Sequence, residues 1–248
     1  MSVKPILFNT KMVRAILDGR KTVTRRVVKP RYVDGDAGFN IVTNSKTGAF
    51  CYIEYYDDYE RSTDRRMTPP CHTGDILWVR ETWCFYCGVY WHKAGLEVDE
   101  NGDCKDGFWV NDISEPSGKK WVATKAPDRW RPSIHMPREA ARIFLRVTNV
   151  RVERLQDISG KDAKKEGIKP IHFDGCIACG AGYPHYPECD YEHCENYQNF
   201  YGDWRWIVPF AELWDSTIKA ADRKLYGWNA NPWVWVIEFE RYEKPEEG

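Results

Sequence analysis

No stretch of this chain is both long and apolar enough to span a bilayer, which takes about 20 consecutive apolar residues. Nor does an apolar h-region follow Met1-Ser2-Val3-Lys4-Pro5, so the sequence predicts no secretory signal and a cytoplasmic protein with no membrane partner. Neither sign of charge prevails: 36 Lys and Arg stand against 37 Asp and Glu, for a net charge of −1. Uniform electrostatic attraction to nucleic acid is thereby excluded, and any such binding has to come from a local patch. There is no internal repeat. The cysteines number nine, and an odd count without a signal peptide points to thiols and metal ligands rather than a disulfide framework.

What is present belongs to a folded protein. A chain of 248 residues, 42% hydrophobic and 29% charged, is long enough for one large domain or two small ones. Aromatic residues reach 15%, with twelve Trp. Most of those Trp sit in strand-like runs, which favours a β-rich core over rings reserved for stacking on bases.

The chain is organised around Gly19-Arg20-Lys21-Thr22-Val23-Thr24-Arg25-Arg26. Ahead of it, Ile6-Leu7-Phe8 reads as a short strand, and Met12, Val13, Ile16 and Leu17 recur at helical spacing behind Thr10, a good N-cap. Gly19 then ends the helix. From Thr22 to Val28 the pattern alternates with period two, placing Thr22, Thr24 and Arg26 on one face and Val23, Arg25 and Val27 on the other. Lys21 and Thr24 differ by an odd number, so they share a site only if Lys21 lies in the turn before regular pleating begins.

Further along, Ile76–Trp83 reads as a strand after the tight turn at Gly74-Asp75, with Glu81 on its outer, solvated face or in a site. Between Arg129 and Arg151 stand six arginines (129, 131, 138, 142, 146 and 151) and one acid, Glu139. This is the strongest basic stretch, a phosphate-facing patch or arginines scattered over both faces of a strand. Ser159 caps a short helix that Gly167 closes, which leaves Glu166 in the last turn, where the helix dipole disfavours an anion by about 0.3–1 kcal/mol. Pro209–Ile218 reads as an amphipathic helix, and Trp233–Phe239, the most hydrophobic run, as a central strand.

Cys176, Cys179, Cys189 and Cys194 fall within nineteen residues among Gly175, Gly180 and Gly182. Four thiols at that spacing suit one tetrahedral structural zinc, with sulfur about 2.3 Å from the ion and no position left open for catalysis. Cys84-x-x-Cys87 is a weaker pair without a clear partner.

Gly19-x-Lys21-x-x-Thr24-x-Arg26 resembles the signature of the ASCH domain, a small β-barrel related to the PUA fold of RNA-binding proteins. Gly74–Glu81, Ile158–Gly167 and Trp233–Phe239 resemble that family's later strands and intervening helix, and the whole pattern is similar to ASCH proteins encoded by phages and prophages. The resemblance implies an α+β fold: a PUA-like mixed β-barrel over a single domain, 1–248, with flanking short helices. Irregular insertions are expected at about 32–70, 84–120 and 171–206, the last of them cysteine-rich. Where the family's signature often carries Glu this chain carries Thr24, as do the members known as amidohydrolases.

In those members a lysine, a threonine and a helix glutamate form the site. The positions that match here are Lys21, Thr24 and Glu166. The resemblance therefore implies deacylation of an N-acetylated cytidine, in a nucleoside or in RNA. Arg26, Arg25, Arg131 and Glu81 are expected to bind substrate, and no organic cofactor is expected. Without the resemblance, Glu166 reads as a surface glutamate paired with Lys161 or Lys165. An RNA-binding module of PUA type, with nuclease activity as suggested for other ASCH proteins, is the second reading.

Overall fold

The computed structural model describes residues 2–29, 38–45, 50–86, 89–95, 108–111, 119–122, 129–171 and 202–244. In chain order these form β1 (Val3–Leu7), α1 (Thr10–Leu17), β2 (Val23–Val27), β3 (Gly38–Thr43), β4 (Phe50–Tyr56), β5 (Ser62–Met67), β6 (Ile76–Arg80), β7 (Trp83–Tyr86), β8 (Val89–His92), β9 (Phe108–Asn111), β10 (Lys119–Val122), β11 (Phe144–Arg154), α2 (Gly160–Lys165), α3 (Trp204–Thr217), α4 (Arg223–Tyr226) and β12 (Trp233–Tyr242). The protein is α+β, mostly strand with a few short helices. Among the described residues no sheet closes into a barrel. Two compact units divide the chain: Met1–Ser2, Asp18–Asp75 and Arg146–Glu240 form one, and Val3–Leu17, Ile76–Leu145 and Arg241–Gly248 the other.

In the first unit β12 lies between β11 and β2. Val234 to Ile237 are four successive buried residues, the pattern of a strand covered on both faces. β2 runs antiparallel to β12, with Thr24 opposite Ile237 and Arg25 opposite Val236. Beneath them Val23, Leu155, Ile158, Ala163, Phe210, Trp214, Val234 and Val236 form one apolar cluster. β3, β4 and β5 make an antiparallel meander in which Ile53 and Tyr55 are buried. In the sequence, Phe50-Cys51-Tyr52-Ile53 reads as one strand of a hairpin within the insertion expected at about 32–70. Its turn-rich flanks and the charged run from Glu54 to Glu60 mask the alternation that β4 carries.

Helix α3 begins at Trp204, five residues before the expected start, and carries Pro209 inside it. A proline there removes the hydrogen bond to the carbonyl four residues earlier, that of Arg205. The freed Arg205 oxygen accepts from Ile171 N at 3.0 Å, so the helix tolerates the proline by tying down the chain that follows α2. Gly160, the first residue of α2, touches the start of α3. A Cβ built on it would lie 2.8 Å from the Asp203 Cα, so the two helices approach at a distance that only glycine allows.

In the second unit β1 pairs in parallel with β6, Val3 opposite Ile76 and Leu7 opposite Arg80. The N-cap of α1 is Asn9 and not Thr10: the Asn9 Oδ1 accepts from Met12 N at 2.9 Å. The expected irregular insertion at 84–120 contains two antiparallel pairs, β7 with β8 and β9 with β10. Ile76, Trp78, Trp83, Met136, Ala140, Ala141 and Phe144 are this unit's apolar cluster.

Candidate active site

Lys21 stands just ahead of β2, where it makes an isolated antiparallel bridge with Glu166, and Thr22 N donates to Lys165 O at 2.9 Å. Glu166 follows α2. Ser159 Oγ accepts from Asp162 N at 3.1 Å and starts that helix, and Gly167, at φ 84°, ends it. The edge of the sheet and the end of a helix are thus joined at one point, and the two side chains meet there.

Lys21 Nζ lies 2.5 Å from Glu166 Oε2, and the lysine side chain has no exposed surface. The ammonium also donates to Val23 O at 2.7 Å and to Glu166 O at 3.1 Å, so its three N–H bonds meet three acceptors. Arg25 donates to the other carboxylate oxygen, Oε1, at 3.1 Å, and its second terminal nitrogen is 3.5 Å from Glu153 Oε2. Glu153 in turn pairs with Arg151, which also holds Glu238. Charges of alternating sign therefore run from the closed interior to half-buried residues.

The electrostatics explain why Glu166 tolerates a helix C-terminus. A dipole cost of about 0.3–1 kcal/mol is small beside a hydrogen-bonded contact with two cations, each such bond worth about 1.5–3 kcal/mol. Burial pushes the Lys21 ammonium below its ordinary lysine value; Glu166 pulls it back, and Arg26 and Arg25 push it further down. At 2.5 Å the Lys21 Nζ–H and the Glu166 Oε2 are in direct hydrogen-bond contact, with no room for a water between them.

Arg26 lies close enough to Lys21 and Glu166 for its charge to act on both. Arg25 is the arginine seen bonding Glu166, and its buried Nε has no hydrogen-bond partner among the described residues. Thr24 is buried opposite Ile237. The surface pairing of Glu166 with Lys161 or Lys165 gives way to Lys21, while Lys165 takes Asp162 at 3.6 Å. Arg131 and Glu81 lie in the second unit. Arg131 pairs backbone to backbone with Trp83, its guanidinium 5.3 Å from the centroid of that ring. Glu81 is not solvated; it is 1% exposed and bound by Arg142 through both oxygens, at 2.9 and 3.0 Å.

Glu153 and Arg142 are the partners that sequence reasoning missed. Each is one charge among many in an alternating strand, and only the fold shows which opposite charge it faces. Cys176, Cys179, Cys189 and Cys194 lie outside the described residues, and among the described residues no group of three or more His, Cys, Asp or Glu is placed to hold a metal. No helix among the described residues is long and apolar enough to cross a membrane. No family model, curated protein or solved structure matches the chain.

Proposed function

We propose that this is an ASCH-type amidohydrolase with a PUA-like fold, which removes the acyl group from the exocyclic amine of an acetylated cytidine. The observation that carries it is the buried contact of Lys21 Nζ with Glu166 Oε2 across 145 residues of sequence. In this reading Lys21 passes its proton to Glu166 and becomes the base that activates the Thr24 hydroxyl or a water. The nucleophile adds to the acyl carbon, the C–N bond breaks, and Glu166 returns its proton to the departing amine; where Thr24 is the nucleophile, a water then hydrolyses the acyl-threonine ester, which frees the carboxylic acid and restores the hydroxyl. Lys21 is closed off from solvent, so substrate gains access when the Lys21–Glu166 bridge opens. A structural zinc on Cys176, Cys179, Cys189 and Cys194 belongs to the same proposal and takes no part in the chemistry.

The RNA-binding reading rests on the arginine-rich stretch. There Arg142 is held by Glu81, Arg146 by Glu240 and Arg151 by Glu153 and Glu238, so half of its six arginines are already neutralised. The amidohydrolase reading is therefore the one we adopt. Incubating the purified protein with cytidine acetylated on its exocyclic amine, and following acetate release, tests it. Lys21→Ala is expected to abolish turnover, Thr24→Ala to remove nearly all of it, and Thr24→Ser to keep part. Glu166→Gln should lower kcat more than it raises KM. Turnover unchanged in Lys21→Ala ends the proposal.

A further inference from the structure

The first unit contains a cavity of about 610 Å³ that the proposed chemistry does not use. Its walls are the residues beside the buried pair rather than the pair itself: Arg20 and Thr22 flank Lys21, and Lys165 precedes Glu166. Lys161, Lys164 and Lys165 recur at helical spacing on one face of α2, Lys169 follows, and the half-buried ring of Trp206 from α3 forms a wall with Ile168 and Pro170. Five cations line one cavity, and among the described residues none that lines it is acidic.

Lysines on one helix face are ordinarily just a solvated surface, so the local ion pairs decide the matter. Arg20 is paired with Asp18 at 2.8 Å and Lys165 with Asp162 at 3.6 Å. Lys161, Lys164 and Lys169 have no carboxylate partner among the described residues, which leaves a surplus of three positive charges in a molecule of net charge −1. The Lys164 ammonium instead rests 5.5 Å from the centroid of the Trp206 ring. A monoanion such as a carboxylate would leave most of that surplus uncompensated, whereas a phosphate monoester carries about −1.5 to −2 charges at neutral pH. The apolar wall asks for a flat ring beside the phosphate, because stacking on an indole is available to any base. The volume is that of a small-molecule site, which ranges over about 300–1,000 Å³.

We infer that this cavity binds a nucleoside monophosphate, with the base stacked on Trp206 and the phosphate held by Lys161, Lys164 and Lys169. The base takes the ring face that the Lys164 ammonium now covers, and the released ammonium turns to the phosphate. This binding does not depend on whether Lys21 and Glu166 hydrolyse an amide.

Isothermal titration of the full chain with cytidine 5′-monophosphate, cytidine and inorganic phosphate tests it, at two salt concentrations. The expected result is a single site with Kd of about 1 mM or tighter for the nucleotide, and binding at least about tenfold weaker for the nucleoside or phosphate alone. Lys161→Ala with Lys169→Ala, both exposed and unlinked to the core, should weaken the nucleotide about tenfold or more and flatten its salt dependence. Trp206→Leu should weaken nucleotide binding while leaving the much weaker phosphate binding unchanged, with the melting temperature recorded for each variant. Equal affinity for nucleotide and inorganic phosphate would make this a phosphate site and overturn the base subsite. No heat from the nucleotide, or binding confined to single-stranded RNA oligomers, would overturn the inference altogether.

Discussion

Lys21 has traded water for three protein acceptors, and its replacement separates a structural role from a chemical one. Lys21→Met leaves Glu166 buried with Arg25 as its remaining partner, and breaking a buried pair from one side costs about 3–5 kcal/mol. In urea unfolding this variant should fall near the low end of that range, because Arg25 stays. Adding Glu166→Leu should restore part of the loss, since an apolar pair of similar volume needs no counter-charge. Acetate release should remain absent in the double variant. A double variant that is both stable and active would show that the pair is only a fastener. His92 offers a second test. Its Nε2–H donates to Ala140 O at 2.8 Å, and burial lowers its pKa from 6.5 against the pull of Glu81, with Arg142 adding to the fall. A depressed value means that protonation costs more in the fold than in the unfolded chain. Its contribution is therefore present above pH 6.5 and lost as pH falls through the folded value. His92→Gln, which keeps a donor, is expected to make the acid-side decline of the melting temperature shallower.

At the scale of elements, α2 matters less for its six residues than for where it ends. Gly160 sets its distance from α3, and Gly160→Ala should cost about 1–3 kcal/mol by overpacking against the Asp203 backbone. Because the shift passes along a rigid helix to Glu166, kcat should fall as well; a stability loss with no change in kcat would show that α2 moves without its C-terminal end. Much of this architecture was legible. The period-two run of β2, the Ser159 cap, the Gly167 stop and the central place of β12 each follow from local pattern. So did the meeting of Lys21 and Glu166, though through family resemblance; the residues alone pointed to a surface glutamate. What stayed hidden depends on distant partners. Pro209 reads as a helix start until Ile171 is found on the Arg205 carbonyl. Glu81 reads as solvated until Arg142 closes on it, and the meander of β3, β4 and β5 lies under a charged, turn-rich sequence.

For the whole molecule, the proposed zinc is a question of composition that elemental analysis answers directly. Protein purified without chelator should contain one zinc per chain, and prolonged chelation should lower the melting temperature, because a structural ion contributes its binding energy to folding. Metal-free protein of unchanged stability would remove the zinc from the account.

The 145 residues that separate Lys21 from Glu166 also set an order of assembly during synthesis. At about 5–20 residues per second, Lys21 leaves the ribosome some 7–30 s before its carboxylate does. Throughout that interval the ammonium just ahead of β2 has no counter-ion, which opposes its burial, and the Val234–Ile237 segment that β2 pairs with comes later still. The core of this unit is therefore a late, non-local event. Its high contact order implies slow folding, and the pairing of Lys21 with Glu166 records that the sheet edge and the helix have met in the right register.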